Sequence, residues 1–149
     1  MTVSIGCDKA GTPFVERFEK ELEAEGIESR VLFDGREDGC DYTDAAFAVA
    51  KSVAAGESEL GILICGTGIG MSIAANKIKG VRAAVCSDEY SAKMTRVHND
   101  ANVLCLGARV IGEELAVSIL HAFLSGEFEK GGRHERRVNK IKSAENGEF

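Results

Sequence analysis

The sequence contains very little proline and no excess of basic residues. Proline occurs once in 149 residues, against a usual ~5%, whereas glycine occurs 17 times, above its usual ~7%. This combination excludes a disordered linker. Lysine and arginine number 18 and aspartate and glutamate 24, which gives a net charge of −6. Because nucleic-acid binding needs a basic face for the phosphates, we expect no nucleic-acid partner.

Long apolar runs are missing as well. No stretch approaches the roughly 20 residues that cross a bilayer, and Met1–Ile5 has no basic segment before its apolar residues. We therefore expect no membrane partner and no signal peptide. The five cysteines are an odd number without a Cys-x-x-Cys pair, which is typical of reduced thiols in the cytoplasm. The three histidines lie at zinc-ligand spacing from no cysteine pair, so we predict no metal site.

Short apolar runs alternate five times with amphipathic segments. The runs predict strands over Val3–Cys7, Ser29–Phe33, Leu60–Cys65, Val81–Cys86 and Asn102–Leu106. The first helix has Thr12 as its expected N-cap and ends before Gly26. The later helices are predicted over Asp44–Ala55, Met71–Lys77, Asp88–Asn99, Gly112–Leu124 and His134–Lys142, with Ser143–Phe149 frayed. This alternation predicts a single doubly wound α/β domain over residues 1–149, with a parallel sheet of about five strands and helices on both faces.

In a doubly wound fold the ligand binds beyond the carboxyl ends of the strands. The Cys65–Gly70 segment, Cys-Gly-Thr-Gly-Ile-Gly, leaves the most apolar strand and enters a helix. Its glycines allow backbone N–H groups to converge on an anion at the helix N-terminus. Met71 breaks the dinucleotide fingerprint, and the segment lacks the Gly-Lys-Ser/Thr end of a Walker A loop. The alternative is a tight turn without a ligand.

Cys65 lies at the carboxyl end of that strand and at a helix entrance, a position that favours a thiolate. It is therefore a candidate base or nucleophile. The competing interpretation is that Cys65 is a small core residue. We predict that role for Cys86 and Cys105, and the position of Cys7 is compatible with it as well.

Two further clusters carry titratable or cationic groups. His98 and Asn99 end a predicted helix, where a histidine can simply complement the helix dipole. The Gly131–Arg137 segment and Arg109 concentrate arginine in an acidic chain, which suits a phosphate or carboxylate ligand, although a basic run can also be a solvated face. A base, oxyanion donors, an acid/base pair and phosphate-binding cations together fit an aldose–ketose isomerase of a sugar phosphate.

The sequence also resembles a known family, the type B ribose-5-phosphate isomerases, which include the galactose-6-phosphate isomerase subunits. The resemblance covers nearly the whole chain, in order. The motifs that carry it are Gly6-Cys7-Asp8-x-Ala10-Gly11, Asp41-Tyr42, Ile64–Gly70, Ile73–Lys77, His98–Asn102, Gly107–Gly112 and Gly131–His134. It implies a Rossmann-like subunit that forms a homodimer or a dimer of dimers, with active sites shared between subunits and no metal or organic cofactor.

The resemblance implies a role for each matching residue. Cys65 corresponds to the family's proton-abstracting base and His98 to its ring-opening residue. The enediolate is expected to be held by Thr67 and by the amides of Gly66, Gly68, Ile69 and Gly70. The residues expected to contact sugar hydroxyls are Asp8, Tyr42 and Asn99. Those expected at the phosphate are Arg109, Arg133 and Arg137, and Lys9, which departs from the family pattern, can still pair with a phosphate.

Departures from the family pattern leave the particular sugar open. Lys9 stands where the family often has histidine, and Thr43 replaces a usual proline. Some members carry a glutamate base where this chain has Met71, so the sequence resembles the cysteine type. Ribose 5-phosphate is the expected substrate. The alternatives are an isomerase of allose, galactose or tetrulose phosphate, a non-catalytic sugar-phosphate-binding subunit, and a nucleotide-binding module.

Overall fold

Five parallel strands form one sheet in the computed structural model, which describes residues 1–148. The strands are Thr2–Cys7 (β1), Glu28–Phe33 (β2), Leu60–Cys65 (β3), Ala83–Val85 (β4) and Val103–Gly107 (β5). Their order across the sheet is β2-β1-β3-β5-β4, and each neighbouring pair is parallel. The predicted α/β class and the parallel sheet are confirmed.

Helices cover both faces of the sheet. They are Thr12–Ala24 (α1), Tyr42–Ala54 (α2), Ile69–Ala75 (α3), Glu89–Asn99 (α4), Glu113–Leu124 (α5) and Arg133–Glu145 (α6). Helices α1, α4 and α5 share one hydrophobic cluster with the sheet, and α2 and α3 share the other. Helix α6 packs on the outside of α4. Among residues 1–148, no helix is long and apolar enough to cross a membrane.

Strand β3 lies at the centre of the sheet and is buried along its whole length. Ile62 and Ile64 pack on the α1/α5 side, whereas Leu63 and Cys65 pack on the α2/α3 side. Burial on both faces explains why this strand is a continuous apolar run rather than an alternating one. The β2 strand, by contrast, lies at the edge and alternates between half-buried and exposed residues, as its lower hydrophobicity predicts.

Two predicted boundaries are wrong near tightly packed turns. The N-cap of α1 is Gly11 rather than Thr12, and residue 11 must be glycine because a Cβ there would lie 2.5 Å from the Ile64 carbonyl oxygen. The Thr12 hydroxyl instead donates to the Asp34 carbonyl at 3.0 Å. Strand β4 is shorter than predicted, since the Asn76 side chain bonds both the N–H and the carbonyl of Ala83, at 2.8 and 2.9 Å.

Helix α6 is longer than the sequence suggested. It continues to Glu145 instead of ending at Lys142, so residues 143–145, expected to be frayed, are helical. The Glu145 carboxylate accepts a hydrogen bond from the Gly80 N–H at 2.9 Å, which ties this end of the helix to the turn before β4. Phe149, also expected to be frayed, lies outside the described residues.

Candidate active site

The segment that leads from the end of β3 into the first turn of α3, residues 65–70, folds back toward the Cys65 thiol. Gly68 has φ +78°, a left-handed conformation that a residue with a side chain adopts only with strain. In this conformation the Gly68 N–H donates to the Cys65 Sγ at 3.1 Å. Such a donor stabilises a thiolate more than a thiol. The turn therefore places a backbone donor directly at the Cys65 sulfur.

Backbone contacts with the end of β5 hold this turn in place. The Ala108 N–H donates to the Cys65 carbonyl at 2.8 Å, and the Arg109 N–H donates to the Gly66 carbonyl at 3.1 Å. A Cβ on Gly107 would lie 2.8 Å from the Thr67 backbone. The two segments can approach this closely only because residue 107 is glycine. No such role was predicted for Gly107, although its place directly after the predicted strand Asn102–Leu106 was a usable signal.

Three further cysteines are buried in the protein core. Burial raises the pKa of Cys7 and of Cys86 to about 11, and it raises the pKa of Cys105 further still. These three are core thiols that stay protonated near neutral pH. Met71 is fully buried in the α2/α3 cluster beside Cys65. It fills the core at the position where some family members carry a glutamate base.

The turn after β1 joins the same edge of the sheet. The Asp8 N–H donates to the Ile64 carbonyl at 3.1 Å, and the Asp8 Oδ1 accepts from the Ala10 N–H at 2.9 Å. Lys9 follows in this turn and is exposed. Two further side chains flank the glycines. A Cβ on Gly70 would lie 2.7 Å from the Tyr42 ring, and one on Gly66 would lie 3.2 Å from the Arg109 guanidinium.

The structure thus gathers many of the predicted site residues at the carboxyl edge of the sheet. We call this group the glycine-loop cluster; its members are Asp8, Lys9, Tyr42, Cys65, Gly66, Thr67, Gly68, Ile69, Gly70 and Arg109. The Thr67 hydroxyl is exposed and accepts from the Ile69 N–H at 3.3 Å.

His98 and Asn99 lie at the opposite edge. They form the last turn of α4, which runs back from the carboxyl end of β4 to the amino end of β5. The next residue, Asp100, pairs with Arg82 at 2.9 Å, just before β4 begins. A five- or six-residue strand spans roughly 17–20 Å. Within one chain, His98 and Cys65 are therefore separated by about the length of the sheet.

The start of α6 lies against this turn of α4. The rings of His98 and His134 are stacked, with centroids 4.1 Å apart and an interplanar angle of 9°. The Arg133 Nε donates to the His134 Nε2 at 3.4 Å. Burial lowers the pKa of His134, and its neighbours His98, Arg133 and Arg137 lower it further, against the Glu129 carboxylate, which raises it. We call His98, Asn99, Arg133, His134 and Arg137 the histidine–arginine cluster.

His134 is a residue to which the sequence analysis gave no role. It is inside the Gly131–Arg137 segment, but its neighbour His98 is far away in the sequence, so only the packing of α6 on α4 shows the pair. Ligand atoms of His98, Glu129 and His134 lie within 4.8 Å of one another. A metal ion must lie near the plane of each imidazole that binds it, however, and two parallel stacked rings cannot both point at one ion. The absence of a metal site stays a prediction.

The class of protein follows from these features. It is an α/β protein with a thiol-bearing glycine loop beyond its central strand and a separate cationic cluster at the other edge of the sheet. The family model described as Ribose/Galactose Isomerase matches residues 3–141. The chain belongs to this family of sugar-phosphate isomerases.

Individual relatives agree with the family match. The chain is 46% identical over 143 residues to ribose-5-phosphate isomerase B of Escherichia coli, covering 96% of this chain and 95% of that protein. It is 42% identical over 142 residues to a D-erythrulose-4-phosphate isomerase of Pectobacterium atrosepticum, covering 95% and 93%. The solved structure of ribose-5-phosphate isomerase B from Clostridium thermocellum superposes with a TM-score of 0.94 at 45% identity, covering 99% of each chain.

Proposed function

We propose that this protein interconverts ribose 5-phosphate and ribulose 5-phosphate through an enediolate, with Cys65 as the base. The observation that carries the proposal is the 3.1 Å hydrogen bond from the Gly68 N–H to the Cys65 Sγ, in a glycine loop that enters α3. A thiolate is a competent base only where donors and a helix N-terminus stabilise its charge.

The chemistry moves one proton between two neighbouring carbons. The Cys65 thiolate takes the proton from C2 of the open-chain aldose, and the C2–H electron pair forms the C1–C2 double bond of an enediolate. The former carbonyl oxygen becomes an oxyanion, which the amides of the glycine loop and the Thr67 hydroxyl stabilise. The O2 hydroxyl proton then passes to the O1 oxyanion while Cys65 returns its proton to C1, which gives the ketose with its carbonyl at C2 and restores the thiolate. No electron acceptor is consumed, so we expect no cofactor.

Ring opening precedes this step, and we assign it to His98. The protonated imidazole gives its proton to the ring oxygen, the bond between that oxygen and C1 breaks, and a water molecule takes the O1 hydroxyl proton as the C1 aldehyde forms. Arg133 and Arg137 of the same cluster, with Arg109 and Lys9 of the glycine-loop cluster, bind the phosphate. Asp8, Tyr42 and Asn99 contact the sugar hydroxyls.

Because the two clusters lie at opposite edges of one chain, we propose that the working site forms between two copies in a homodimer. In that arrangement, His98 and the arginines of one copy approach the glycine loop of the other. Exposed aliphatic side chains beside the loop support such an interface: Ile69 and Ile73, one turn apart on α3, and Val110 after β5. A dimer of dimers would use further surface.

We also propose the cytoplasm as the location, because all five cysteines are free thiols, as reducing compartments keep them.

The choice of sugar depends on the turn after β1. Lys9 is exposed at the position where the family often has histidine, and a relative of similar identity is named for a tetrulose phosphate. A lysine offers a fixed positive charge to a phosphate but cannot exchange protons near neutral pH. Isomerisation of another sugar phosphate is therefore the second candidate function.

A substrate panel tests both candidates. We expect the purified protein, dialysed against a chelator, to isomerise ribose 5-phosphate with a higher kcat/KM than allose 6-phosphate, galactose 6-phosphate or erythrulose 4-phosphate. A preference for another sugar in the panel would replace the substrate but keep the reaction. Phosphate-ligand binding without turnover of any member would identify a non-catalytic subunit and overturn the proposal.

A further inference from the structure

We propose that His134 is a positioning residue that holds the His98 ring and the Arg133 guanidinium in the places where ring opening and phosphate binding need them. The proposal rests on the proposed function and adds to it a residue that does not itself touch the substrate. It is carried by three observations at the junction of α4 and α6.

The first observation is the stack itself. His134 is 8% exposed and presents one face to the half-buried His98 ring at 4.1 Å and 9°. An exposed imidazole at the end of a helix changes rotamer within nanoseconds. A buried ring against one face removes part of that freedom and leaves the edge and the other face of His98 for a ligand. The stack is therefore a means of orienting His98.

The second observation is the contact with Arg133. The Arg133 Nε–H points at the His134 Nε2 at 3.4 Å, and where it donates there, that nitrogen carries a lone pair. The His134 proton then belongs on Nδ1, and the ring is neutral. A guanidinium with one N–H fixed in this way keeps its terminal nitrogens free for a phosphate. His134 thus connects the ring-opening group to a phosphate ligand.

The third observation concerns the charges around His134. The groups that face it are His98 from α4, Arg133 and Arg137 from α6, and Glu129 from the segment before α6, whose Oε2 lies 3.5 Å from Nε2. Burial, His98 and the two arginines together outweigh the single carboxylate, and the pKa of His134 is lowered. The neutral ring that the Arg133 contact requires is therefore the form that these surroundings favour.

Two substitutions separate the two contacts. His134→Phe keeps a flat ring to stack on His98 but removes the acceptor for Arg133. We expect it to raise KM for ribose 5-phosphate about tenfold with kcat within about twofold, because part of a charge-assisted hydrogen-bond arrangement is lost. His134→Gln keeps an acceptor but removes the ring, so we expect kcat to fall about tenfold with a smaller change in KM.

An activity-independent signal accompanies these measurements. The chain has three histidines, so imidazole NMR signals can be assigned by single substitutions. Stacking shifts the His98 ring protons through the ring current of its neighbour; we expect this shift to persist in His134→Phe and to vanish in His134→Gln. His121→Gln is the matched control. His121 of α5 pairs with Glu21 of α1 at 3.0 Å, away from the histidine–arginine cluster, so this substitution should change neither KM nor kcat.

The outcomes are distinct. Equal losses in both variants that simply follow a lowered melting temperature would show a structural role and overturn the proposal, as would a His98 signal that ignores both substitutions. A wild-type protein that turns over no sugar phosphate would instead overturn the proposed function. In that case the NMR signals would still decide whether His134 orients His98, and they would overturn the positioning claim if the shift persisted in His134→Gln.

Discussion

The glycine-loop cluster is held by backbone contacts, whereas the histidine–arginine cluster is held by side chains. The loop depends on two glycines: Gly68, which has φ +78° and lies against the Leu106 backbone of β5, and Gly107 of β5, which lies against the Thr67 backbone. The other cluster depends on a ring stack between α4 and α6 and on a donor–acceptor contact between neighbouring side chains at the start of α6. The loop is therefore preformed, and changes there affect the fold and the chemistry together. Changes in the second cluster should alter the chemistry with little effect on the fold.

The largest expected effect is that of removing the base. Cys65→Ala leaves the loop backbone intact but has no group to take the C2 proton, so we expect kcat to fall at least about 10³-fold. Solvent deuterium incorporation at C2 should stop, while phosphate binding remains. The matched control is Cys86→Ala, another buried cysteine, in the α1/α5 cluster; full loss in this variant too would argue against a specific role for Cys65.

The next largest effect is a loss of kcat on substitution in the histidine–arginine cluster. His98→Gln removes the group assigned to ring opening, and general acid–base catalysis is commonly worth about 10²–10⁴-fold. We expect kcat for ribose 5-phosphate to fall about 10²-fold, with a melting temperature close to that of the wild type, since His98 is only half-buried. His121→Gln provides the comparison. A large loss of stability in His98→Gln would contradict the distinction between the two clusters.

A glycine substitution tests whether the loop is indeed held by its backbone. Gly68→Ala combines left-handed strain with a Cβ 2.9 Å from the Leu106 backbone, and we expect a loss of roughly 2–3 kcal/mol in the free energy of unfolding. Gly26→Ala has a similar φ, +69°, but nothing within 4 Å, so it should lose only about 1 kcal/mol. Equal losses in chemical denaturation would mean that the contact with β5 contributes nothing.

The smallest effect is a pH dependence of stability in the second cluster. Because the pKa of His134 is lowered in the fold, the unfolded chain binds more protons as the pH falls below about 6.5. The free energy of unfolding should therefore decrease with falling pH in that window and level off below the lowered pKa. His134→Gln should have a flatter slope in denaturation curves measured between pH 7 and pH 5; an unchanged slope would mean that His134 is not the titrating group.

Much of the glycine-loop cluster could be predicted because its parts are adjacent in the sequence. A buried strand, Cys65 and three alternating glycines follow one another directly, and parallel strands bring their carboxyl ends to one edge. The place of His98 was also predictable in principle, since Asn99 immediately precedes the fifth strand. The stack with His134 was not, because it depends on how α6 packs on α4. Nor was the insertion of β5 between β3 and β4, which depends on close contacts such as that of Gly107 with Thr67.

The central claim, that one site takes Cys65 from one copy and His98 from another, is tested most directly by mixing two inactive variants. In a mixed dimer of Cys65→Ala and His98→Gln, one of the two sites carries both substitutions and the other carries neither. Random pairing makes half of the dimers mixed, so we predict recovery of about a quarter of the wild-type activity. Activity no higher than that of the separate variants, in a preparation where mass spectrometry detects mixed dimers, would contradict the account.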